Sequence, residues 1–471
     1  MTITAQRPRT SRVLPVGAPT TDELAAAMTA RRLARLLVTG VGWATMAMTV
    51  VLFATESPLA RFSDLGSALN SVGIIAGLVA TNALVLMLLL AARVPLVDRA
   101  LGQPAAVALH AKLGNWVVGG LAVHAAFVLI GGAVLDGADL FSEFGLLWDS
   151  TTDFMLAVAG MALLLVVIVS SIAAARRRLP YEVWHVIHLL SYAAVGLAIP
   201  HMFSMSGLLG EGSWQRGYWI ALLSIAGAAL VVFRFVQPLV ASLRHGLVVA
   251  AIIPAGPDAF SIEFTGRRLD ALRAEAGQYL HWRFLTRGLW WQQHPFSLSA
   301  APTANGLRIT VRGLGRGSRE LRALRPGTRV WIEGPYGGFT GRARTTHRVA
   351  LIGAGIGITP IRALLETLAF APGQATVILR ASAADQLYLL DEIERLCEVR
   401  GARLVTLLGH REPGRWVPEG SRALRLDDLV PDLCDTDLYV CGPKGFARTV
   451  IGEAEAAGVP RDRINVEELA W

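Results

Sequence analysis

The sequence predicts a multi-domain membrane protein, in which a six-helix transmembrane bundle is followed by a small antiparallel β-barrel and an α/β domain of Rossmann type. Three observations predict this fold class. Nearly all long apolar runs lie between residues 32 and 240, short strands broken by Gly and Pro follow from residue 246, and strands alternate with helices from residue 348. The chain has 471 residues, of which 53% are hydrophobic and 17% are charged. Because soluble globular chains average about 25% charged residues, this composition argues against an ordinary cytosolic enzyme.

Six apolar stretches are long enough to cross a bilayer, because a hydrocarbon core about 30 Å thick needs about 20 helical residues. These stretches are Leu36 to Ala54, Val72 to Ala92, Leu113 to Val134, Phe154 to Ala175, Val183 to Phe203 and Tyr218 to Val236.

Basic residues in the short loops predict how the spans are oriented. One set of alternate loops carries Arg31, Arg32, Arg35, Arg93, Arg99, Lys112, Arg176, Arg177, Arg178 and Arg244. The other set is mostly acidic and carries Asp136, Asp139, Glu143, Asp149 and Asp153, with Arg61 and Arg216. The positive-inside rule therefore predicts a multi-pass protein of the cell membrane with both termini in the cytoplasm. The net charge of +8 is explained by these loops and by a phosphate-binding soluble half, so no nucleic-acid partner is predicted.

Four histidines in two spans form a regular pattern. His110 and His124 are 14 residues apart on the third span, and His188 and His201 are 13 apart on the fifth. The two separations correspond to about 21 and 20 Å along a helix. Because both spans run in the same direction, the pattern pairs His110 with His188 and His124 with His201 at matched depths. Histidines inside a bilayer indicate function, and two such pairs, one above the other, are what two bis-histidine haems require.

Some alternatives to this interpretation stay open. A spacing of 13 falls about 140° short of four helical turns, and Pro200 could correct the phase by distorting the helix. His185, one turn before His188, is a rival ligand. The histidines could instead form hydrogen bonds between helices. The basic run at 176–178 could neutralise haem propionates, although the positive-inside rule also explains it.

Cysteines do not supply the metal ligands. The chain has Cys397, Cys434 and Cys441, all in its last quarter. This number and position exclude a disulfide scaffold and a Cys-ligated iron–sulfur cluster.

The soluble half has two regions with different patterns. The barrel strands are predicted at Gly246 to Ala255, Ala259 to Gly266, Gly277 to Leu285, Leu307 to Arg312 and Arg329 to Glu333. In the second region, strands are predicted at Val349 to Ile352, Thr376 to Leu379, Arg403 to Leu408 and Leu438 to Cys441, with helices at Thr359 to Phe370 and Asp385 to Val399. This alternation is typical of a parallel sheet that binds a dinucleotide.

A glycine-rich turn follows the first strand of the parallel sheet. It contains Gly353, Gly355 and Gly357 and leads to Thr359 as a predicted N-cap and Pro360 at the first helical position. Backbone N–H groups and the positive helix end would bind a pyrophosphate. A structural turn without a ligand is the alternative, because Ile358 stands where the strict fingerprint has its third glycine.

The residue after the second strand of this sheet bears on which nucleotide is bound. Arg380 stands there, and the first acid is Asp385. An acid would suit a ribose 2′-hydroxyl, whereas an arginine suits a 2′-phosphate. NADPH is therefore favoured, with NADH as the alternative and a simple surface arginine as the other interpretation.

The ordered motifs resemble those of the ferric reductase and NADPH oxidase superfamily, in its bacterial form. The residues that carry the resemblance are His294-Pro295-Phe296-Ser297, Arg312, Gly317-Ser318, the stretch from Glu333 to Gly337, the turn from Gly353 to Pro360, Cys441-Gly442-Pro443, and the terminal Trp471. The histidine spacings also match the haem pattern of this family.

The resemblance implies the cofactors and the roles of the site residues. FAD would be bound by His294, Pro295, Phe296, Ser297, Arg312, Gly317 and Ser318. NADP would be bound by Gly353, Gly355, Gly357, Thr359, Pro360, Arg380, Cys441, Gly442 and Pro443. Cys441 would lie near the hydride-transfer site, and Trp471 would cover the flavin ring and move aside for the nicotinamide. His110, His124, His188 and His201 would bind the iron of two b-type haems.

The resemblance also implies domains and an activity. The predicted domains are a cytoplasmic N-terminal tail (1–30), a haem-binding membrane domain (31–241), an FAD-binding barrel (242–344) and an NAD(P)-binding domain (345–471). Electrons would pass from cytosolic NADPH through FAD and the haems to a small external acceptor, either ferric iron or dioxygen. The alternatives are a membrane-anchored flavin reductase with a cytosolic acceptor and a non-enzymatic NADPH sensor. The oligomeric state is not predicted.

Overall fold

The computed structural model describes residues 20–55, 62–150, 152–172, 178–179, 181–205, 207–313 and 315–469. The chain divides into two compact units. One comprises Leu37–Val94 and Ala105–Val231, and the other comprises Met1–Leu36, Pro95–Pro104 and Val232–Trp471. Predicted features at Arg61, Arg176, Arg177 and Trp471, and most of the predicted N-terminal tail, lie outside the described residues. The predicted domain boundaries remain predictions.

Six helices in the described part of the chain are long and apolar enough to span a membrane, as predicted. The helices in the N-terminal half are α1 (Thr21–Ala54), α2 (Leu65–Ala91), α3 (Pro95–Leu101), α4 (Gln103–Asp136), α5 (Leu140–Ser150), α6 (Thr152–Ser171), α7 (Tyr181–Met205) and α8 (Trp214–Val231). The last span continues through a π-helical turn, Val232–Val236, into α9 (Gln237–His245).

Small and polar residues let the membrane helices approach one another closely. A Cβ on Gly120 of α4 would lie 2.9 Å from the Cβ of Ala80 on α2, and one on Gly160 of α6 would lie 2.7 Å from the carbonyl oxygen of Ala194 on α7. Asn82 donates from its side chain to the Thr45 carbonyl at 3.1 Å and to the Thr49 hydroxyl at 3.0 Å. Close packing and interhelical hydrogen bonds therefore stabilise the bundle.

The barrel consists of two three-stranded antiparallel sheets, with strand orders β1-β2-β5 and β4-β3-β6. The strands are β1 (Val248–Pro254), β2 (Ala259–Thr265), β3 (Tyr279–Phe284), β4 (His294–Ser297), β5 (Gly306–Arg312) and β6 (Val330–Tyr336), and the short helix α10 (Arg316–Glu320) follows β5. Single bridges join Val248 to Arg329 and Leu298 to Ile309. The strand order therefore runs in a ring, β1-β2-β5-β4-β3-β6. Strand β4 was not predicted, because its four residues include a proline and are too few to show alternation.

The C-terminal sheet is parallel, with strand order β11-β10-β7-β8-β9, as the Rossmann prediction requires. Its strands are β7 (Arg348–Ala354), β8 (Ala375–Ala381), β9 (Arg403–Leu408), β10 (Thr436–Pro443) and β11 (Ile464–Leu469). Its helices are α11 (Ile358–Thr367), α12 (Leu390–Arg400), α13 (Leu426–Leu429) and α14 (Lys444–Ala456). Strand β11 and helix α14 were not among the predicted elements.

Two predicted helix starts were wrong. A 3₁₀ turn, Gly355–Gly357, leads directly into α11, so Gly357 and not Thr359 is the N-cap, and the Thr359 hydroxyl donates to the Ile356 carbonyl at 2.9 Å. Pro360 is tolerated at the third position because N–H groups of the first turn have no partner inside the helix. The helix predicted from Asp385 begins at Leu390, since the backbone of Leu389 has a φ of 58° and interrupts it.

Candidate functional site

The four predicted haem ligands lie in two pairs between α4 and α7. The ring centroids of His110 and His188 are 6.3 Å apart with an interplanar angle of 60°. Those of His124 and His201 are 6.1 Å apart with an angle of 65°. His188 is the histidine of α7 whose ring makes this tilted contact with His110. The imperfect helical phase does not prevent pairing, and Pro200 lies inside α7 directly before His201.

The separation within each pair fits an iron atom held between two imidazoles. A metal lies about 2 Å from a ligating imidazole nitrogen, and that nitrogen lies about 1 Å from its ring centre, so two ring centres would be about 6 Å apart. Both measured separations are close to this value. The residues present therefore fit two bis-histidine haems.

Hydrogen bonds fix the orientation of the His110, His124 and His201 rings. His124 Nδ1 lies 2.9 Å from the Gly73 carbonyl oxygen, and His110 Nδ1 lies 3.2 Å from that of Met87. His201 Nδ1 contacts Met205 Sδ at 3.1 Å. An Nδ1–H that donates to a carbonyl selects the tautomer whose Nε2 lone pair is available to a metal.

Glycines on α2 make room for the pair formed by His124 and His201. A Cβ on Gly77 would lie 2.6 Å from His124 Nδ1, and one on Gly73 would lie 2.7 Å from a methyl carbon of Val128. This small-xxx-small pattern brings the α2 backbone close to the imidazole. These glycines were not predicted as site residues, although their four-residue spacing was a detectable signal.

The predicted flavin motifs lie together in the barrel. His294 and Phe296 are on β4, and their rings are stacked. The ring centroids are 5.9 Å apart and the interplanar angle is 2°. A Cβ on Gly317 would lie 3.3 Å from His294 Cε1, so the second motif lies beside the first. His294 Nε2 is buried with no hydrogen-bond partner among the described residues. Buried polar atoms normally have a partner, so this atom fits a site completed by a bound polar group such as FAD.

Arg312, predicted to contact the flavin diphosphate, is bound to a carboxylate. Its Nε lies 2.6 Å from Asp258 Oδ2, and Tyr388 donates to Asp258 Oδ1 at 2.6 Å. Burial alone would raise the pKa of Asp258, but the hydrogen bonds from Tyr388 and Arg312 and the guanidinium charge lower it. Arg312 therefore has to share its donors between Asp258 and any diphosphate.

The glycine-rich turn packs against the Cys441-Gly442-Pro443 motif. Gly355 has a φ of 55°, and a Cβ on Gly357 would lie 2.4 Å from the Cys441 carbonyl oxygen. Only glycine fits both positions without strain. Because β7 and β10 are adjacent parallel strands, both motifs lie at the carboxyl edge of the sheet, where such folds bind nucleotides.

Cys441 is fully buried, and burial raises the pKa of its thiol well above the ordinary value. The thiol is therefore neutral and lacks the lowered pKa of an activated nucleophile. In the β10–β11 register it lies opposite Glu467, which is half-buried. Burial raises the pKa of Glu467 to about 7. The carboxyl edge thus carries a titratable group whose role the sequence analysis did not identify.

Arg380 is placed differently from the prediction. It is buried, with 4% of its surface exposed, and donates to the carbonyls of Trp416 at 3.2 Å and Leu407 at 3.4 Å, and to that of Ala381. Its Nη2 is the donor left without a partner among the described residues. A 2′-phosphate would have to reach a buried side chain whose other donors are occupied.

Arg411 is an alternative cation that the sequence analysis missed. It is exposed and lies three residues after β9. Its guanidinium group is close to Gly445 at the start of α14, because a Cβ built on Gly445 would lie 3.3 Å from Arg411 Nη1. Strand ends and helix N-termini at this edge bind phosphates.

Three protein families match successive parts of the chain. The ferric reductase like transmembrane component matches residues 76–199, which include His110, His124 and His188, with His201 two residues beyond the match. An FAD-binding domain matches residues 249–340, and an oxidoreductase NAD-binding domain matches residues 351–451.

Two relatives each match less than half of the chain. A flavohemoprotein of Deinococcus radiodurans is 32% identical over 201 residues, which are 40% of this chain and 50% of that protein. An NADPH oxidoreductase of Mycobacterium tuberculosis is 26% identical over 210 residues, covering 42% of this chain and 52% of that protein. The chain thus spans about half the length of the curated relatives it matches.

Among solved structures, the flavohem-like FAD/NAD-binding domain of nitric oxide dioxygenase from Vibrio cholerae is 26% identical. The match covers 48% of this chain and 98% of that domain, with a TM-score of 0.42. The order of the three family matches is the order that the sequence motifs predicted. A ferric reductase-like membrane component followed by FAD-binding and NAD-binding domains is the domain architecture of the ferric reductase and NADPH oxidase superfamily, as the sequence motifs predicted.

Proposed function

We propose that this membrane NAD(P)H oxidoreductase moves electrons from cytosolic NADPH, through FAD and two b-type haems, to an acceptor on the opposite side of the membrane. The observation that carries the proposal is that two pairs of imidazole rings face each other between α4 and α7. The ring centroids are 6.3 Å apart in one pair and 6.1 Å apart in the other. A helix bundle that served only as an anchor would have no use for two such sets at matched positions.

The side chains have distinct parts in this proposal. Flavin and haem, when bound, supply the change from two-electron to one-electron transfer, so the protein needs no catalytic base. His110 with His188, and His124 with His201, would ligate the two irons. The backbone carbonyls of Met87 and Gly73 hold two of these rings in the ligating tautomer. His294, Phe296 and the Gly317-Ser318 turn would orient the flavin in the barrel.

At the nicotinamide site, the turn at Gly353–Gly357 would bind the pyrophosphate, and Cys441 would pack beside the nicotinamide. Trp471 is proposed to cover the flavin ring until the nicotinamide displaces it. The preference for NADPH now rests on Arg411 as well as Arg380, because Arg411 is exposed and Arg380 is buried. NADH remains the alternative donor.

Two external acceptors, ferric chelates and dioxygen, are equally supported. Among the described residues there is no group of three or more His, Cys, Asp or Glu side chains able to hold a metal ion. A ferric substrate would be reduced while still bound to its chelator. Dioxygen would be reduced to superoxide.

Absorption spectroscopy of the purified protein tests the haem sites. Low-spin bis-histidine Soret and α bands are expected, at two haems per chain. A spectrum of flavin alone would overturn the proposal and support a flavin reductase that the helices only anchor.

The direction of electron flow needs a second experiment. NADPH is titrated anaerobically on the side of the soluble domains of sealed vesicles, and dioxygen or an impermeant ferric chelate is then added on the opposite side. Reoxidation of the haems by the added acceptor is expected. Reoxidation only by acceptors on the NADPH side would contradict transfer across the membrane.

A further inference from the structure

Two adjacent tryptophans in the barrel are exposed. Trp290 and Trp291 lie between β3 and β4 and expose 60% and 49% of their surface. The same loop holds Leu289, which is 4% exposed and packs in the barrel core. Backbone hydrogen bonds from Leu289 and Trp290 to the Thr286 carbonyl, at 3.2 and 3.1 Å, close the loop into a compact turn. The turn therefore holds both indoles outward.

The base of this loop is tied to the helix that leaves the membrane. Gln293 Nε2 donates to Glu333 Oε2 at 2.6 Å, and the other carboxylate oxygen of Glu333 pairs with Arg234 in the π-helical turn and accepts from Tyr336 at 3.0 Å. Gln293 is two residues after Trp291, a chain length of at most about 7 Å. The tryptophans are thus held near Arg234.

The length of the helix indicates where Arg234 lies relative to the two membrane surfaces. Arg234 is 20 residues beyond Trp214, where the sixth span begins. At 1.5 Å per residue the helix rises about 30 Å between them, which equals the thickness of the hydrocarbon core. If Trp214 lies at one interface, Arg234 and the loop beside it lie at the other.

The chemistry of the surroundings matches a lipid headgroup layer. Tryptophan concentrates at membrane interfaces, and exposed arginines bind anionic headgroups. Arg287 lies exposed in the same turn, and Arg244 is exposed at the end of α9. Helix α9 also exposes Leu239, Val240 and Leu243, beyond the end of the sixth span predicted from the sequence at Val236. Apolar side chains in this number are costly in water.

We propose that the turn formed by residues 286–293 inserts Trp290 and Trp291 into the headgroup region of the leaflet on the side of the soluble domains. The occupant of this surface is the lipid bilayer, preferably one with anionic lipid. The insertion fixes the flavin barrel at the membrane surface independently of the haem sites.

Site-specific fluorescence tests this proposal on the full-length protein in nanodiscs. Cys434 is replaced by serine, and Trp291→Cys is labelled with an environment-sensitive fluorophore. Cys397 and Cys441 are buried and should not react. The control is the native Cys434, which is exposed on the NAD-binding domain, labelled in the otherwise unchanged chain. Lipids with a nitroxide at the top of the acyl chain serve as the quencher.

A label at position 291 should emit at shorter wavelength than one at Cys434 and should lose most of its intensity to the nitroxide lipid, more so with anionic lipid. Emission and quenching equal to those of the Cys434 control would overturn the proposal. So would a label that is shielded from water but not quenched, because that result would indicate contact with protein.

A second position guards against misfolding of the first variant. Trp290→Cys is measured in the same way, and retention of flavin identifies the folded sample. In the unmodified chain in nanodiscs, hydroxyl-radical oxidation of Trp290 and Trp291 should be weaker than their exposed fractions of 60% and 49% predict. Oxidation as strong as their exposure predicts would contradict insertion.

Discussion

The histidine sites of the membrane helices and the nucleotide sites of the soluble half differ in how their side chains are fixed. The four histidines are spaced along two helices, and their rings meet in the predicted pairs. Arg312 was predicted from the family resemblance and Arg380 from its position after the second strand of the parallel sheet, and both guanidinium groups bond to other protein atoms. A short side chain on a rigid helix is positioned by its spacing, whereas a long flexible cation is positioned by whichever acceptors the tertiary structure brings near.

Removal of one ligand is the largest expected effect and tests the helical half of this comparison. His124→Leu should eliminate the haem proposed between His124 and His201, and with it about half of the bound haem, because one imidazole cannot maintain bis-histidine ligation. Haem content and the rate of flavin reduction by NADPH are measured, and the latter should not change. His185→Leu is the matched control and should keep both haems. External reductase activity that survives in His124→Leu would contradict the proposed route.

Gly77→Ala should disturb the same site without touching a ligand. The added methyl group would lie 2.6 Å from His124 Nδ1, so the ring or the helix has to shift. We expect partial loss of one haem and an altered α band, which spectroscopy and haem quantification detect. Gly119→Ala on α4 is the control, because a Cβ there has nothing within 4 Å. Equal spectra for the two variants would show that α2 does not set the position of His124.

Arg411→Ala tests the electrostatic half of the comparison. If Arg411 binds the 2′-phosphate, loss of a charge-assisted hydrogen bond worth about 1.5–3 kcal/mol should raise the KM for NADPH roughly tenfold or more. The KM for NADH should not change. Arg395→Ala, which removes an exposed arginine from α12, serves as the control. A parallel rise for both nucleotides would assign Arg411 a structural role.

Glu467→Gln has the smallest expected effect. The folded pKa of Glu467, about 7, lies above its ordinary value of 4.5. The folded state therefore binds this proton more tightly than the unfolded state, and the associated stability is lost as pH rises between these values. Relative to the natural chain, Glu467→Gln should gain up to ~2 kcal/mol on going from pH 5 to pH 8.

Thermal unfolding at the two pH values measures this difference. Glu468→Gln, at an exposed neighbouring position, is the control and should show a smaller dependence on pH. No difference between the two variants would mean that Glu467 is not desolvated in the folded protein.

The sequence predicts most of the architecture because its signals are periodic. Apolar runs located all six spans, and the alternation of strands and helices located most of the parallel sheet. Strand β4 was missed because four residues show no period. Thr359 was assigned as the N-cap because threonine favours that position, yet the preceding 3₁₀ turn left its hydroxyl to bond Ile356.

Parts of the site depend on contacts between distant residues, and no local pattern predicts these. The carbonyl of Gly73 accepts from a histidine 51 residues away, and Glu467 meets Cys441 only through pairing of β10 with β11. The burial that raises the pKa of Glu467 results from the complete fold. Such features follow from tertiary structure and not from composition or spacing.

Strand β4 carries His294 on one short ladder with β3 and is joined to the neighbouring sheet by the single bridge at Leu298. Of its four residues, Pro295 has no amide hydrogen to contribute. This segment should therefore open locally before the remaining strands do, and its amide hydrogens should exchange earliest in protein depleted of flavin. Retention of flavin and rigidity of one short peptide are then coupled, so a drug or mutation that loosens this peptide would release the flavin while most of the barrel stayed folded.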